Sequence, residues 1–191
     1  MKCYRLTALV VAVVAAPALA QETYVIDTDH TVPTFEIAHM GGISTQRGMF
    51  SKTTGTVVID RAAKTGSVEA VIDTSTINTG SPRRDAILRA EDYFDSAKYP
   101  TATFKATKLA FDGENVVGAE GELTMRGVTK PVSVKVANFK CLPAQGNRKP
   151  ICAGEVSTTV TLSDFGMRKS GGHADVAKIT VPVEAVGAAA S

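Results

Sequence analysis

The sequence predicts an all-β protein, a sandwich or barrel of about ten short strands. Three observations carry that prediction. Apolar and polar residues alternate with period two in segment after segment, as in Val132, Val134 and Val136 between Ser133 and Lys135, which places one face of each strand in a dry interior and the other in water. Clusters of Gly, Pro, Asp and Asn punctuate these segments at short intervals, the spacing of turns in an all-β chain. Only one stretch, 83–90, has the composition of a helix.

Taken in order, the predicted strands begin with 24–27 and 34–38. Residues 56–60 and 67–73 form a hairpin about a turn at 61–66. Ser81-Pro82 offers an N-cap and a proline at the first helical position for Arg83-Arg84-Asp85-Ala86-Ile87-Leu88-Arg89-Ala90. Ile87 and Leu88 give this helix its one apolar stripe, so it is expected to pack across one end of the β-structure. In 103–111 the parity slips between Phe104/Ala106 and Leu109/Phe111, which calls for a bulge. Strands at 115–124 and around Val132–Val136 follow. Val156, Thr158, Val160 and Leu162 alternate with polar neighbours, as do Ile179, Val181, Val183 and Ala185. Pro182 lacks an N–H for a ladder and is expected at an edge or a bulge. The tail 187–191 is expected to fray.

Residues 1–20 read as a secretory signal. Lys2 and Arg5 form a charged start, 6–16 is an apolar run too short to span a bilayer, and Ala18-Leu19-Ala20 is a cleavage signal. Cleavage after Ala20 leaves 21–191 as a single exported domain, expected in the periplasm. Cys3 precedes the apolar run, where a lipid-anchor cysteine would follow it. The whole chain has 21 basic and 19 acidic residues; without Lys2 and Arg5 the charges balance, which argues against nucleic acid or an anionic membrane surface as the main partner. Cys141 and Cys152 flank a Pro/Gly/Asn loop and read as a disulfide in an oxidising compartment. They form no C-x-x-C redox motif.

No constellation for catalysis emerges. There is no G-x-S-x-G elbow, phosphate loop or dinucleotide fingerprint, so no catalytic residue, cofactor or enzyme activity is expected. His30, His39 and His173 show no metal-ligand spacing. Their expected roles are turn capping and bonding to loop backbone, and no metal site is assigned. Glu91, Asp92 and Asp95 read as solvated acids about a turn. The seven phenylalanines are spread along the chain and tryptophan is absent. They serve either a filled core or a cavity wall, and small residues at inward positions (Ala70, Ala106, Thr158, Ala185) leave room inside.

Several motifs resemble the YceI-like, polyisoprenoid-binding proteins. They are Asp29-His30-Thr31-Val32 through Phe35-Glu36-Ile37-Ala38-His39, then Gly48-Met49-Phe50 and Gly55, and Arg84-Asp85-x-x-Leu88-Arg89-x-x-Asp92-x-Phe94. Further on stand Tyr99-Pro100-x-Ala102-Thr103-Phe104, Gly121-x-Leu123-Thr124-x-x-Gly127-Val128-Thr129-Lys130-Pro131-Val132 and Asp164-Phe165-Gly166. In order, these cover about 24–186. The resemblance implies an extended, eight-stranded, antiparallel, lipocalin-like barrel that encloses a long isoprenoid chain, in periplasmic proteins without known catalysis. The cysteine pair is a departure confined to its loop.

Alternation and motif position together nominate Phe35, Ile37, Phe104, Leu123, Val160 and Phe165 as wall residues. Phe50 and Phe94 are expected to close an end, and His39 and Arg168 to contact a ligand head group. The expected function is a periplasmic carrier holding a polyprenyl compound or isoprenoid quinone. Competing readings are a binder of fatty acids, fatty amides or hydrophobic drugs, and a filled, ligand-free structural or stress protein. Transient contact with a membrane or membrane enzyme, and a homodimer through an edge near Pro182, are compatible with the carrier.

Overall fold

The structure, a computed structural model, describes residues 21–169 and 172–188; the expected signal segment lies outside them. The chain forms β1 (Glu22–Ile26), β2 (Thr34–His39), β3 (Ser44–Phe50), β4 (Thr53–Asp60), β5 (Thr65–Asp73) and β6 (Ile77–Asn78), then α1 (Pro82–Arg89). β7 (Thr101–Asp112), β8 (Asn115–Met125), β9 (Val128–Leu142), β10 (Ile151–Thr161) and β11 (His173–Gly187) complete it. Every pairing is antiparallel. The order β1-β4-β5-β7-β8-β9-β10-β11 closes back onto β1, an eight-stranded barrel, and β2, β3 and β6 continue the sheet beyond β11.

β11 is shared by two partners in succession. His173 to Thr180 run beside β2, and Ala185 to Gly187 run beside β1. Between them the Thr31 hydroxyl donates to the Glu184 carbonyl and accepts from the Glu184 N–H, so this buried hydroxyl satisfies the backbone where the ladder breaks. Pro182 has the same parity as Glu184 and stands in that break. The donor it lacks would point where neither β1 nor β2 is in register. On its other side it faces Glu155 of β10. The expected exposed edge near Pro182 is therefore absent: the break lies inside the sheet.

The bulge expected in β7 is present. Its register with β8 shifts between Ala106 and Lys108, which turns Leu109 and Phe111 to the same interior as Phe104 and Ala106. Outward positions carry ion pairs such as Lys105–Glu69 and Lys108–Glu120. Such exposed pairs add little stability, but they make the outer wall the reverse of a lipid-facing one. Gly55 is required where β4 meets β5: its φ is +150°, and a Cβ there would lie 2.0 Å from the Glu69 carbonyl oxygen.

α1 crosses the end of the barrel nearer β6. Ser81 occupies its N-cap position but makes no side-chain cap bond. Asp85 holds the entry instead, accepting from the Thr79 N–H at 2.8 Å and its hydroxyl at 2.7 Å. Arg89 donates to the carbonyls of Ser75 and Ile77, and Leu88 packs on Phe35, Phe50 and Ile77. The fraying expected from 187 does not include Gly187 and Ala188. The Gly187 N–H donates to the Pro150 carbonyl and that of Ala188 to Thr23; 189–191 lie outside the described residues.

At the opposite end Cys141 of β9 and Cys152 of β10 are register partners joined by a disulfide. The loop it closes, with a sequence separation of 11, is short. A bridge over such a loop stabilises by roughly 3 kcal/mol in the chain-entropy account. Replacing both cysteines by alanine should lower the urea midpoint, and a midpoint equal to wild type would deny the bridge a stabilising role.

Candidate functional site

The inward faces of the barrel do not meet. They enclose a cavity of about 730 Å³, towards the upper end of the roughly 300–1,000 Å³ usual for ligand pockets. Alternation puts apolar side chains on all sides of it. Val132, Val134 and Val136 come from β9, and Ile179, Val181 and Val183 from β11. Ala70, Thr158 and Ala185 also line it, and their small size is part of why space remains. Ala106, expected beside them, is buried in the packed cluster with Tyr24, Ile59 and Leu109.

Of the residues nominated from the sequence, Phe35, Ile37, Phe104, Leu123 and Val160 stand on the cavity wall. Phe50 and Phe94 line it beneath α1. Phe50 is 5.9 Å, centroid to centroid, from Phe35 and meets Phe94 edge-on at 5.3 Å. Two nominations need correction. Phe165 is buried with Met125, Val160 and Met167 and does not line the cavity, because the turn Leu162–Phe165 leaves the strand alternation. His39 shares the parity of Phe35 and Ile37 but ends β2. Its ring lies against that of His173, its register partner, at 4.3 Å, and His173 takes the lining position. Arg168 lines the mouth while paired with Asp92 at 2.8 Å. Cys152 lines the far end.

The histidines also differ from expectation. His39 Nδ1 is 3.1 Å from the Ser44 hydroxyl, and His30 bonds the Asp27 carboxylate at 2.9 Å; neither contact is to loop backbone. Glu184 joins the second pair, so that ligand atoms of Asp27, His30 and Glu184 lie within 4.8 Å of one another. Spacing hides this convergence because β11 supplies one member from the far end of the chain. The Asp27–His30 pair accounts for the contact without an ion.

Residues 24–187 match the YceI-like domain. The chain belongs to the YceI-like family. A UPF0312 protein of Shewanella denitrificans is 33% identical over 192 residues, 97% of this chain and 99% of its own. Another, of Vibrio parahaemolyticus, is 36% identical over 159 residues, 79% and 81% of the two chains. The crystal structure of Burkholderia cenocepacia BcnA superposes with a TM-score of 0.66 at 24% identity, covering 83% of this chain and 98% of that one. A polyisoprenoid binding domain from Saccharophagus degradans gives 0.60 at 15% identity, covering 86% and 98%. At these identities the two structures establish the fold. The apolar lining of the cavity suits a hydrophobic ligand.

Among the described residues, charge enters the YceI-like cavity only at the α1 end. Arg47, Arg83, Arg84, Arg168 and Lys169 line it there with one carboxylate, Asp175. Hydrogen bonds from Ser163, then the Lys169 ammonium, hold Asp175 below the usual carboxylate range. Those from Thr79 do the same for Asp85. Burial, then the neighbouring His39 and Arg84, push His173 below the ordinary imidazole value. The Asp27 carboxylate raises His30.

These directions have opposite consequences for stability. A histidine lowered in the fold opposes folding once pH drops below its unfolded value of 6.5, because the unfolded chain then binds more protons. A raised histidine adds stability that is complete below that value and lost as pH rises through its folded value. The lowered carboxylates stabilise the fold above their unfolded values and lose that contribution as pH falls through their folded values. In urea titrations between pH 7.5 and 5, His173→Gln should therefore flatten the acid loss of stability and His30→Gln should steepen it. Parallel curves for both variants would contradict these assignments.

Proposed function

We propose that this protein is a periplasmic carrier that holds a long apolar isoprenoid, a polyprenyl compound or isoprenoid quinone, in its barrel. The observation that carries the reading is the cavity of about 730 Å³ left open between apolar inward faces. A barrel of eight strands is just wide enough either to fill with side chains or to hold one ligand. Here the inward alanines and threonine leave the space unfilled. The Saccharophagus degradans neighbour, described as a polyisoprenoid binding domain, supports an isoprenoid as the cargo. Export is supported by the signal pattern of 1–20 and by the Cys141–Cys152 bridge.

Magnitudes favour a long tail. Desolvation supplies about 0.8 kcal/mol per buried methylene. Set against an association cost of at least about 4 kcal/mol, a micromolar complex, about −8 kcal/mol, needs roughly fifteen methylenes. A short alkyl chain does not reach that. Apolar walls discriminate weakly among tails of similar girth, so selectivity falls to the head group at the α1 end, where Arg168 and His173 stand. The reading includes no cofactor and no catalytic step.

Mass spectrometry of an organic extract of the natively exported protein tests this. A stoichiometric isoprenoid is expected. Phe104→Asp and Val160→Asp should each remove it, while far-UV circular dichroism retains the β spectrum. A fatty acid or amide in its place would keep the carrier and change its cargo. A lipid-free protein with intact β-structure would reject the carrier reading in favour of a structural barrel.

A further inference from the structure

The turn between β2 and β3 presents large apolar side chains to solvent. Ile43 is 87% exposed and Met40 60%, at the two ends of Met40-Gly41-Gly42-Ile43. Met40, Gly41 and Gly42 all have positive φ, and a Cβ added at either glycine would meet nothing within 4 Å. The turn is thus a narrow tip standing clear of the barrel. Ile43 and Met40 add nothing to the core there and leave the tip apolar in solvent.

The tip stands beside the cavity mouth. The Met40 N–H donates to the Gly172 carbonyl, next to His173, which lines the cavity. Ile87 of α1, also lining the mouth, is 48% exposed. Around these apolar groups stand the five cations of the mouth. Arg47, Arg168 and Lys169 are answered by Glu36, Asp92 and Asp175. Arg83 and Arg84 are exposed and, among the described residues, have no carboxylate within salt-bridge distance. Apolar residues that can enter an interface, flanked by unpaired cations, match the chemistry of an anionic bilayer surface. No described helix is long and apolar enough to cross a membrane, so the contact required is docking.

We propose that the α1 end of the barrel docks on an anionic lipid bilayer. Met40 and Ile43 enter the headgroup region, Ile87 rests on it, and Arg83 and Arg84 meet lipid phosphates. Only the consequence, that the cavity then faces the membrane that supplies or receives its cargo, rests on the carrier reading; the docking stands on the surface alone.

The chain has no tryptophan, so a single introduced one reports its own surroundings. In the full mature chain, Ile43→Trp should shift its emission to the blue with vesicles of phosphatidylcholine containing one quarter phosphatidylglycerol. Vesicles of phosphatidylcholine alone should do so far less. Leu142→Trp, also exposed but at the disulfide end, should not shift with either. In cosedimentation, Arg83→Glu/Arg84→Glu should cut the bound fraction by more than about tenfold. Lys64→Glu/Lys149→Glu, the same charge change at the far end, should leave it unchanged. Ile43→Ser should weaken vesicle binding while extractable lipid stays at the wild-type level, since Ile43 does not line the cavity. The proposal is overturned by equal shifts with both vesicle types, by equal losses from the two charge-reversed pairs, or by an Ile43→Trp shift that follows protein concentration without lipid, which would assign the tip to a second copy of the chain. Vesicle binding by a protein that yields no extractable lipid would retain the docking and reject the carrier.

Discussion

Three register pairs, from Tyr24 opposite Gly187 to Ile26 opposite Ala185, close the sheet on itself, and the interior depends on them. With β1 detached from β11, the inward faces of β4 and β5 on one side and β10 on the other would be open to water. The cavity would become a groove. Closure also removes the edges of the eight barrel strands, the usual site of unwanted pairing. β1 is only five residues long, and β11 can accept it because the pairing with β2 ends at Thr180, two residues before Pro182. Thr31 bridges the gap through both of its hydroxyl roles.

A closed wall with small inward residues leaves an apolar void. Protein interiors are normally packed to crystal density, and lining atoms that face empty space lose dispersion contacts on one side. A barrel of this kind accepts that cost over its whole lumen, and an apolar ligand offsets it directly. Structure and binding are coupled at this point, since the same alanines that weaken the core of the empty protein make room for a tail. The disulfide and the Arg61 guanidinium, which reaches Cys141 and lies over Phe139, consolidate the end away from the mouth.

The two ends of the barrel divide the work. At the disulfide end the chain is fixed by covalent and backbone bonds. At the other, α1 is attached by hydrogen bonds through Asp85 and Arg89, by the Leu88 and Arg89 carbonyls that accept from the Phe94 and Ser96 N–H groups, and by the apolar side chain of Leu88. A helix held this lightly over a cavity opens at far lower cost than a barrel strand. Among the described residues, every charged one that touches the lumen is also there. Entry of a tail, recognition of a head group and contact with a surface therefore share one end of the molecule.

Much of this was legible in the residues. Alternation fixed which side chains of β9, β10 and β11 turn inward, the slipped parity of 103–111 required a bulge, which the register places at Thr107, and the loop between Cys141 and Cys152 implied their bridge. Local periodicity is sufficient for such features because a strand's two faces are set by its own backbone. It could not tell a filled barrel from a hollow one, since that depends on the distance between opposite walls. Phe165 fitted a motif, yet a turn that breaks alternation carried it out of the lumen. His39 kept the inward parity but met His173 from β11, and Asp27, His30 and Glu184 converged from opposite ends of the chain. The sequence by itself determined the faces of the strands; only closure of the sheet decided what stands across from each face, because partners so far apart along the chain are brought together by register and leave no trace in spacing.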